Sequence, residues 1–173
     1  MSLERLNIRR HLVTRLRGRT DAGQNVFANR TLPTETMPLV GIFFRGETDI
    51  ETIAHSPRVI RRKLQVDFEC IVTGANDDEA SDNLDVLSEQ VEEAIATDLF
   101  LNSLVEDMNL ISSGDVEGTS EGRVLAFAST LTYQVNYISQ HPRNEDLPRL
   151  VDFETAHADY SSLASDTVEV RNP

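Results

Sequence analysis

The sequence predicts an α+β fold: a mainly antiparallel β-sheet with helices packed on one face. Three observations predict it. Apolar residues recur at helical spacing near the N-terminus and again in mid-chain. Between and after these stretches, apolar and polar residues alternate one for one. The order is helix, strands, helix, strands, without the regular βα alternation of a parallel sheet.

Each element follows from its own pattern. Residues 6–17 read as a helix, with Ile8, Leu12, Val13 and Leu16 on one face and arginines over the rest. Gly18 is a stop signal. A short extended piece at 25–30 leads into a loop punctuated by Pro33 and Pro38. Residues 39–45 (LVGIFFR) form a compact β-rich run, and the polar, acidic 46–57 reads as a loop or projecting hairpin tip. The clearest strand is 61–72. Leu64, Val66, Phe68 and Cys70 face one way, while Lys63, Gln65, Asp67 and Glu69 face the other, so one side is buried and one wet.

After a turn at 74–78, Leu84, Leu87, Val91, Ala94, Ile95 and Leu99 mark a long amphipathic helix, with Asp77 or Asp78 as its cap. Residues 100–105 extend it or form a short second turn. A strand at 108–112, a polar loop at 113–122 and a long last strand at 123–138 complete the pattern. Two regions result: an α+β domain at 1–138 and a C-terminal extension at 139–173. The extension has Pro142, Pro148 and many charges but no periodic core of its own, although Leu150, Val151, Phe153, Tyr160 and Leu163 are apolar enough to dock.

Composition narrows the function. A chain of 173 residues has room for a real core without disulfides or metals. The single cysteine, Cys70, lies on the apolar side of its strand and reads as a small buried hydrophobe. No apolar run approaches a membrane span, and residues 1–10 lack the apolar centre of a signal peptide, which points to a soluble cytoplasmic product.

The formal net charge of -13 argues against a simple nucleic-acid binder. Charge is also unevenly distributed. The first helix and its end carry Arg5, Arg9, Arg10, Arg15, Arg17 and Arg19 against Glu4 alone, whereas every charged side chain between Lys63 and Arg123 is a carboxylate. One account is a solvated acidic helix face that maintains solubility. The other is that basic and acidic regions of identical neighbours meet head to tail. Composition does not choose between them. The second makes Arg5, Arg9, Arg10, Arg15 and Arg17 candidate subunit-interface residues.

Signatures of catalysis are missing from the sequence. No glycine pattern forms a phosphate loop or a nucleophile elbow, and His11, His55, His141 and His157 are scattered without ligand spacing. Asp67 and Glu69 share a strand face and so resemble an Mg²⁺-holding pair, but Ile71 stands where a nuclease of that class would supply lysine. Asp77-Asp78-Glu79 fits a helix start better than a metal loop. The chain therefore reads as non-enzymatic, with no catalytic, metal-binding or cofactor-binding residue assigned.

Several features taken in order resemble the tail terminator (minor tail protein U-like) family of long-tailed phages. They are the basic N-terminal helix ending near Leu16, the Asn25-Val26-Phe27 segment, and Pro38-Leu39-Val40 opening a strand. The alternating strand from Arg62 to Val72, the helix from Asp82 to Leu99, and the closing Leu131-Thr132-Tyr133-Gln134-Val135-Asn136-Tyr137 strand follow. The resemblance spans roughly Asn7 to Ile138 and rests on residue types rather than invariant signatures.

The resemblance implies a structural, ring-forming subunit of the virion, a hexamer assembled in the host cytoplasm at the head-proximal end of the tail. Its partners would be further copies of itself, the tail tube protein and a head-completion or connector protein. DNA would pass through the lumen without specific binding. Asp67, Glu69, Asp85, Glu89 and Glu92 are candidates for an acidic or lumen-lining face that repels phosphate. A head–tail connector or neck ring protein is the nearest alternative. A tail-tube subunit and a metal-dependent nuclease stand further off.

Overall fold

In the computed structural model, the described residues are 3–29, 36–55, 58–114, 117–121 and 124–140. All of them lie in the compact unit Met1–His141. The loop at 31–35 and the extension beyond 140 lie outside the described residues.

Two helices and six strands follow in the order α1 (Leu3–Leu16), β1 (Val26–Ala28), β2 (Leu39–His55), β3 (Arg58–Gly74), α2 (Asp77–Ala96), β4 (Asp107–Ser113), β5 (Glu117–Glu121) and β6 (Val124–Gln140). The strands form one sheet in the order β1-β2-β3-β6-β4, and β5 also pairs with β6. Every pairing is antiparallel except β1 with β2. The α+β expectation holds: the sheet is mainly antiparallel, with one parallel pair, β1 with β2.

Residue parity explains why both helices lie on one face. Val40 and Ile42, then Leu64, Val66, Phe68, Cys70 and Val72, then Leu131, Tyr133, Val135 and Tyr137 are all buried in a single cluster. Alternate residues of each strand point the same way, so these positions make one continuous apolar face. Ile8, Leu12 and Leu16 of α1 and Leu84, Leu87, Val91 and Ile95 of α2 close over it. Phe68 and Tyr133 meet edge to face, with ring centroids 5.4 Å apart. Across the sheet, α1 lies against β1 and α2 lies over β3 and β6.

Several boundaries differ from expectation. The acidic stretch read as a loop or projecting hairpin tip is the second half of β2, which pairs with β3 as far as His55↔Arg58, so the hairpin is the nearer of the two readings. Glu47 and Glu51 are stabilised there by Arg62 and Arg61 of the partner strand, so the polar sequence still makes a strand. The cap of α2 is Asn76, not Asp77 or Asp78. Its side chain accepts from the backbone N–H of Glu79 at 2.9 Å, and the Glu79 carboxylate accepts from the N–H of Ala75. Leu99, placed on the buried stripe, is 39% exposed because α2 ends at Ala96. The polar loop at 113–122 contains β5, and β6 runs to Gln140, two residues past the expected domain edge.

Gly74 ends β3 where α2 begins. A Cβ there would lie 2.5 Å from the Ala80 backbone nitrogen, so only glycine permits this close approach. Between α2 and β4, Leu101, Asn102 and Ser103 all have positive φ. Such a run is unfavourable for L-residues. It is anchored by the buried Leu101 side chain and by the Asp98 carboxylate, which accepts from the N–H of Asn102.

Candidate functional site

The basic and acidic stretches of the sequence supply α1 and α2, which lie side by side in one helical layer. On α1, Arg5, Leu6 and Arg9 line a shallow pocket with Asn29 and Phe44, which places this flank over the β1–β2 end of the sheet. The other flank of α1 meets α2: His11 lies 3.6 Å from Asp98, and the Arg15 Nε donates to the Ala94 carbonyl at 3.0 Å. Arg15 also donates to Thr97. It thereby supplies a cation at the negative end of α2, whose own last turn has no basic residue.

The α2 helix carries eight acidic residues and no basic one. On its α1 side, Gln90 accepts from the Asp21 N–H at 2.7 Å. On its other side, Ser88 and Ser129 share a hydrogen bond of 2.9 Å. Glu92 and Asp85 share that stripe with Ser88 at helical spacing, so they lie on the β6 side of α2. The electrostatics agree. Burial, with the Glu92 charge behind it, pushes the Tyr133 hydroxyl up to about 12, and Tyr133 pairs in register with Leu110 of β4. Glu89, one turn along from Asp85, is exposed.

The five candidate arginines therefore have different roles. Arg15 is committed to the end of α2, and Arg17 donates to the Val26 carbonyl at 3.1 Å. Arg5 lies 3.8 Å from Glu47. Arg9 and Arg10 make no ion pair or side-chain hydrogen bond with other described residues, and Arg10 is exposed.

The five candidate carboxylates do not share one face. Asp67 and Glu69 lie on the sheet face away from the helices, because strand alternation opposes them to Phe68 and Cys70. Asp85, Glu89 and Glu92 belong to the helical layer. Asp67 is also not a free surface charge. It is 6% exposed and accepts from Arg45 at 2.6 Å, Thr132 at 3.0 Å and Gln65 at 3.1 Å. Burial raises its pKa, but these donors outweigh burial and hold the carboxyl below its usual range.

Sequence reading missed a polar cluster where the second half of β2 begins. The Tyr137 hydroxyl donates to Glu47 at 2.8 Å, and Arg62 donates to the other Glu47 oxygen. Burial pushes the Glu47 pKa up, while Tyr137, Arg62 and Arg5 together bring it below the ordinary value. A signal existed: the acidic Glu47-x-Asp49-x-Glu51 stretch faces the basic Arg58-x-x-Arg61-Arg62-Lys63 stretch across a two-residue gap in the pairing. Also missed was the apolar β4 edge, where Leu110 is 42% and Ile111 57% exposed. Nothing in the alternation of 108–112 marks that strand as an edge.

Cys70 is buried as expected. Burial, with Glu69 and Glu92 adding to it, pushes its thiol up to about 12. Among the described residues, no three His, Cys, Asp or Glu side chains gather as a metal set, and no helix is long and apolar enough to cross a membrane. The chain matches no known family model, and no curated protein matches it significantly.

Proposed function

We propose that this protein is a structural ring subunit of the tail terminator type, capping the head-proximal end of a phage tail tube. The observation that carries the reading is the division of charge across one domain. Arg9 lies on the flank of α1 away from α2, and Asp85 and Glu92 lie on the flank of α2 away from α1. Opposite charges on opposite flanks suit head-to-tail contacts between identical copies, which close into rings when the rotation allows.

Two further points support it. The element order is the one the sequence resemblance requires, from the helix ending at Leu16 to the closing strand through Tyr137. The acidic surface of α2 also lowers the stability of the isolated subunit. Like charges four residues apart at Asp78/Asp82, Asp85/Glu89 and Glu89/Glu93 each cost about 0.2–0.5 kcal/mol on a helix.

In this reading, one ring face matches the tube end and the other does not nucleate another tube ring, so polymerisation stops and a head-attachment surface remains. Carboxylates lining the lumen would let DNA pass without sticking.

The test is to add the purified protein to growing tail tubes and measure tube length and end decoration by negative-stain microscopy. Shortened tubes with one end capped support the terminator. Decoration of head portals with bare tubes moves the assignment to a head–tail connector.

A further inference from the structure

Resting on the ring reading, we infer that the β4 edge of one copy docks into the α1–β2 pocket of the next. The donor surface is Leu110 and Ile111, with Glu92 of α2 near Tyr133, the residue paired with Leu110. The acceptor is the pocket lined by Arg5, Leu6, Arg9, Asn29 and Phe44.

Both surfaces have an apolar centre and a charged border, and the charges are opposite. Leu6 and Phe44 are partly buried at the pocket, with Arg5 and Arg9 beside them. Leu110 and Ile111 are large apolar side chains exposed on an edge strand, where proteins more often place charge. The register shift between Leu110 and Ser112 leaves Ile111 as an extra, unpaired residue that bends the edge. A bent edge is a poor template for strand-to-strand growth but leaves its side chains free to dock.

Symmetry selects the pairing. In a two-fold dimer through β4, Glu92 would face its own copy, and in one through the α1–β2 pocket, Arg9 would face its own. Like charges oppose both arrangements, and only the head-to-tail arrangement sets arginine against carboxylate. The two surfaces lie at opposite ends of the strand order, β2 and β1 at one end and β4 at the other, so each copy has both halves of the seam.

The test is a charge-swap mixture of full-length chains, read by light scattering with circular dichroism as the folding control. Arg9→Glu alone and Glu92→Arg alone should each weaken self-association at least tenfold. Mixing the two variants should restore assemblies containing both, because each provides the partner charge the other lacks. Ile111→Asp should abolish assembly in either background. A separate chain carrying Ile111→Cys and Asn29→Cys should give a ladder of oxidised species beyond the dimer, with buried Cys70 taking no part.

Folded single variants that assemble like the original overturn the seam, as does a mixture that stays dissociated, a ladder that stops at the dimer, or a chain that remains monomeric at millimolar concentration. Rings that assemble through this seam yet leave tail tubes uncapped would overturn the terminator reading alone.

Discussion

The two halves of β3 have the same neighbours and different cohesion. From Leu64 to Val72 the strand lies under α1 and α2, and its alternate side chains are fully or nearly fully buried. From Arg58 to Lys63 only Ile60 is buried; Arg58 is exposed and the others are half-buried. A strand of 17 residues is about 55 Å long, whereas the 20-residue α2 spans about 30 Å. The pairing with β2 records the difference. It is regular from Leu39↔Ile71 to Phe44↔Val66, then shifts register three times before His55↔Arg58. Apolar burial enforces register because a one-residue slip turns every buried side chain outward. Ion pairs tolerate such slips, since long charged side chains still reach one another.

The largest effect should come from breaking the covered half. Phe68→Ala removes a fully buried ring in contact with Tyr133 and should cost about 3–5 kcal/mol, measured by urea unfolding.

At the junction of the halves, Glu47→Gln removes the charged acceptor of Tyr137 and Arg62. It should cost about 1–3 kcal/mol at neutral pH. The same change sharpens the comparison through pH. Glu47 and Asp67 have folded pKa values below their ordinary values of 4.5 and 3.8. Their stabilisation is therefore fully present above those ordinary values and is lost as pH falls through the lower folded ones. A double variant, Glu47→Gln/Asp67→Asn, should lose less stability between pH 5 and pH 2 (a span of roughly three units) than the original chain.

Cys70 provides a probe of the covered half. A thiol reagent should modify it only as fast as the core opens, and an immediate reaction in native buffer would contradict its burial. The smallest effect belongs to the outer half. Glu51→Gln breaks an exposed contact with Arg61, which keeps its bidentate pair with Glu106, and should leave the unfolding midpoint unchanged.

The covered half was the legible one. Alternation at Leu64, Val66, Phe68 and Cys70 and helical spacing at Leu84, Leu87 and Val91 are direct consequences of burial, so the sequence displays them. The outer half was not legible in the same way. Its strand is specified by charges paired across the sheet, Glu47 with Arg62 and Glu51 with Arg61, and a single stretch read alone looks like a loop. The candidate surfaces were partly legible. The uneven charge was plain, but the sequence does not say that Arg15 and Arg17 serve the fold while Arg9 and Arg10 face outward. Nor does it say that Asp67 is neutralised by Arg45, because Arg45 comes from a neighbouring strand. The Asn76 cap was masked by the adjacent aspartates, which are equally good cap residues by type.

One feature separates the centre of the sheet from its margins: β3 and β6 pair without interruption from Val59↔Gln140 to Gly74↔Leu125. Hydrogen bonds of an antiparallel ladder lie across the strand direction. A pull along the strands therefore loads the whole ladder in shear, whereas a pull across it opens one rung at a time. The subunit should be stiff to tension along this axis and should yield first at the bulged β2 margin, where the rungs are already irregular.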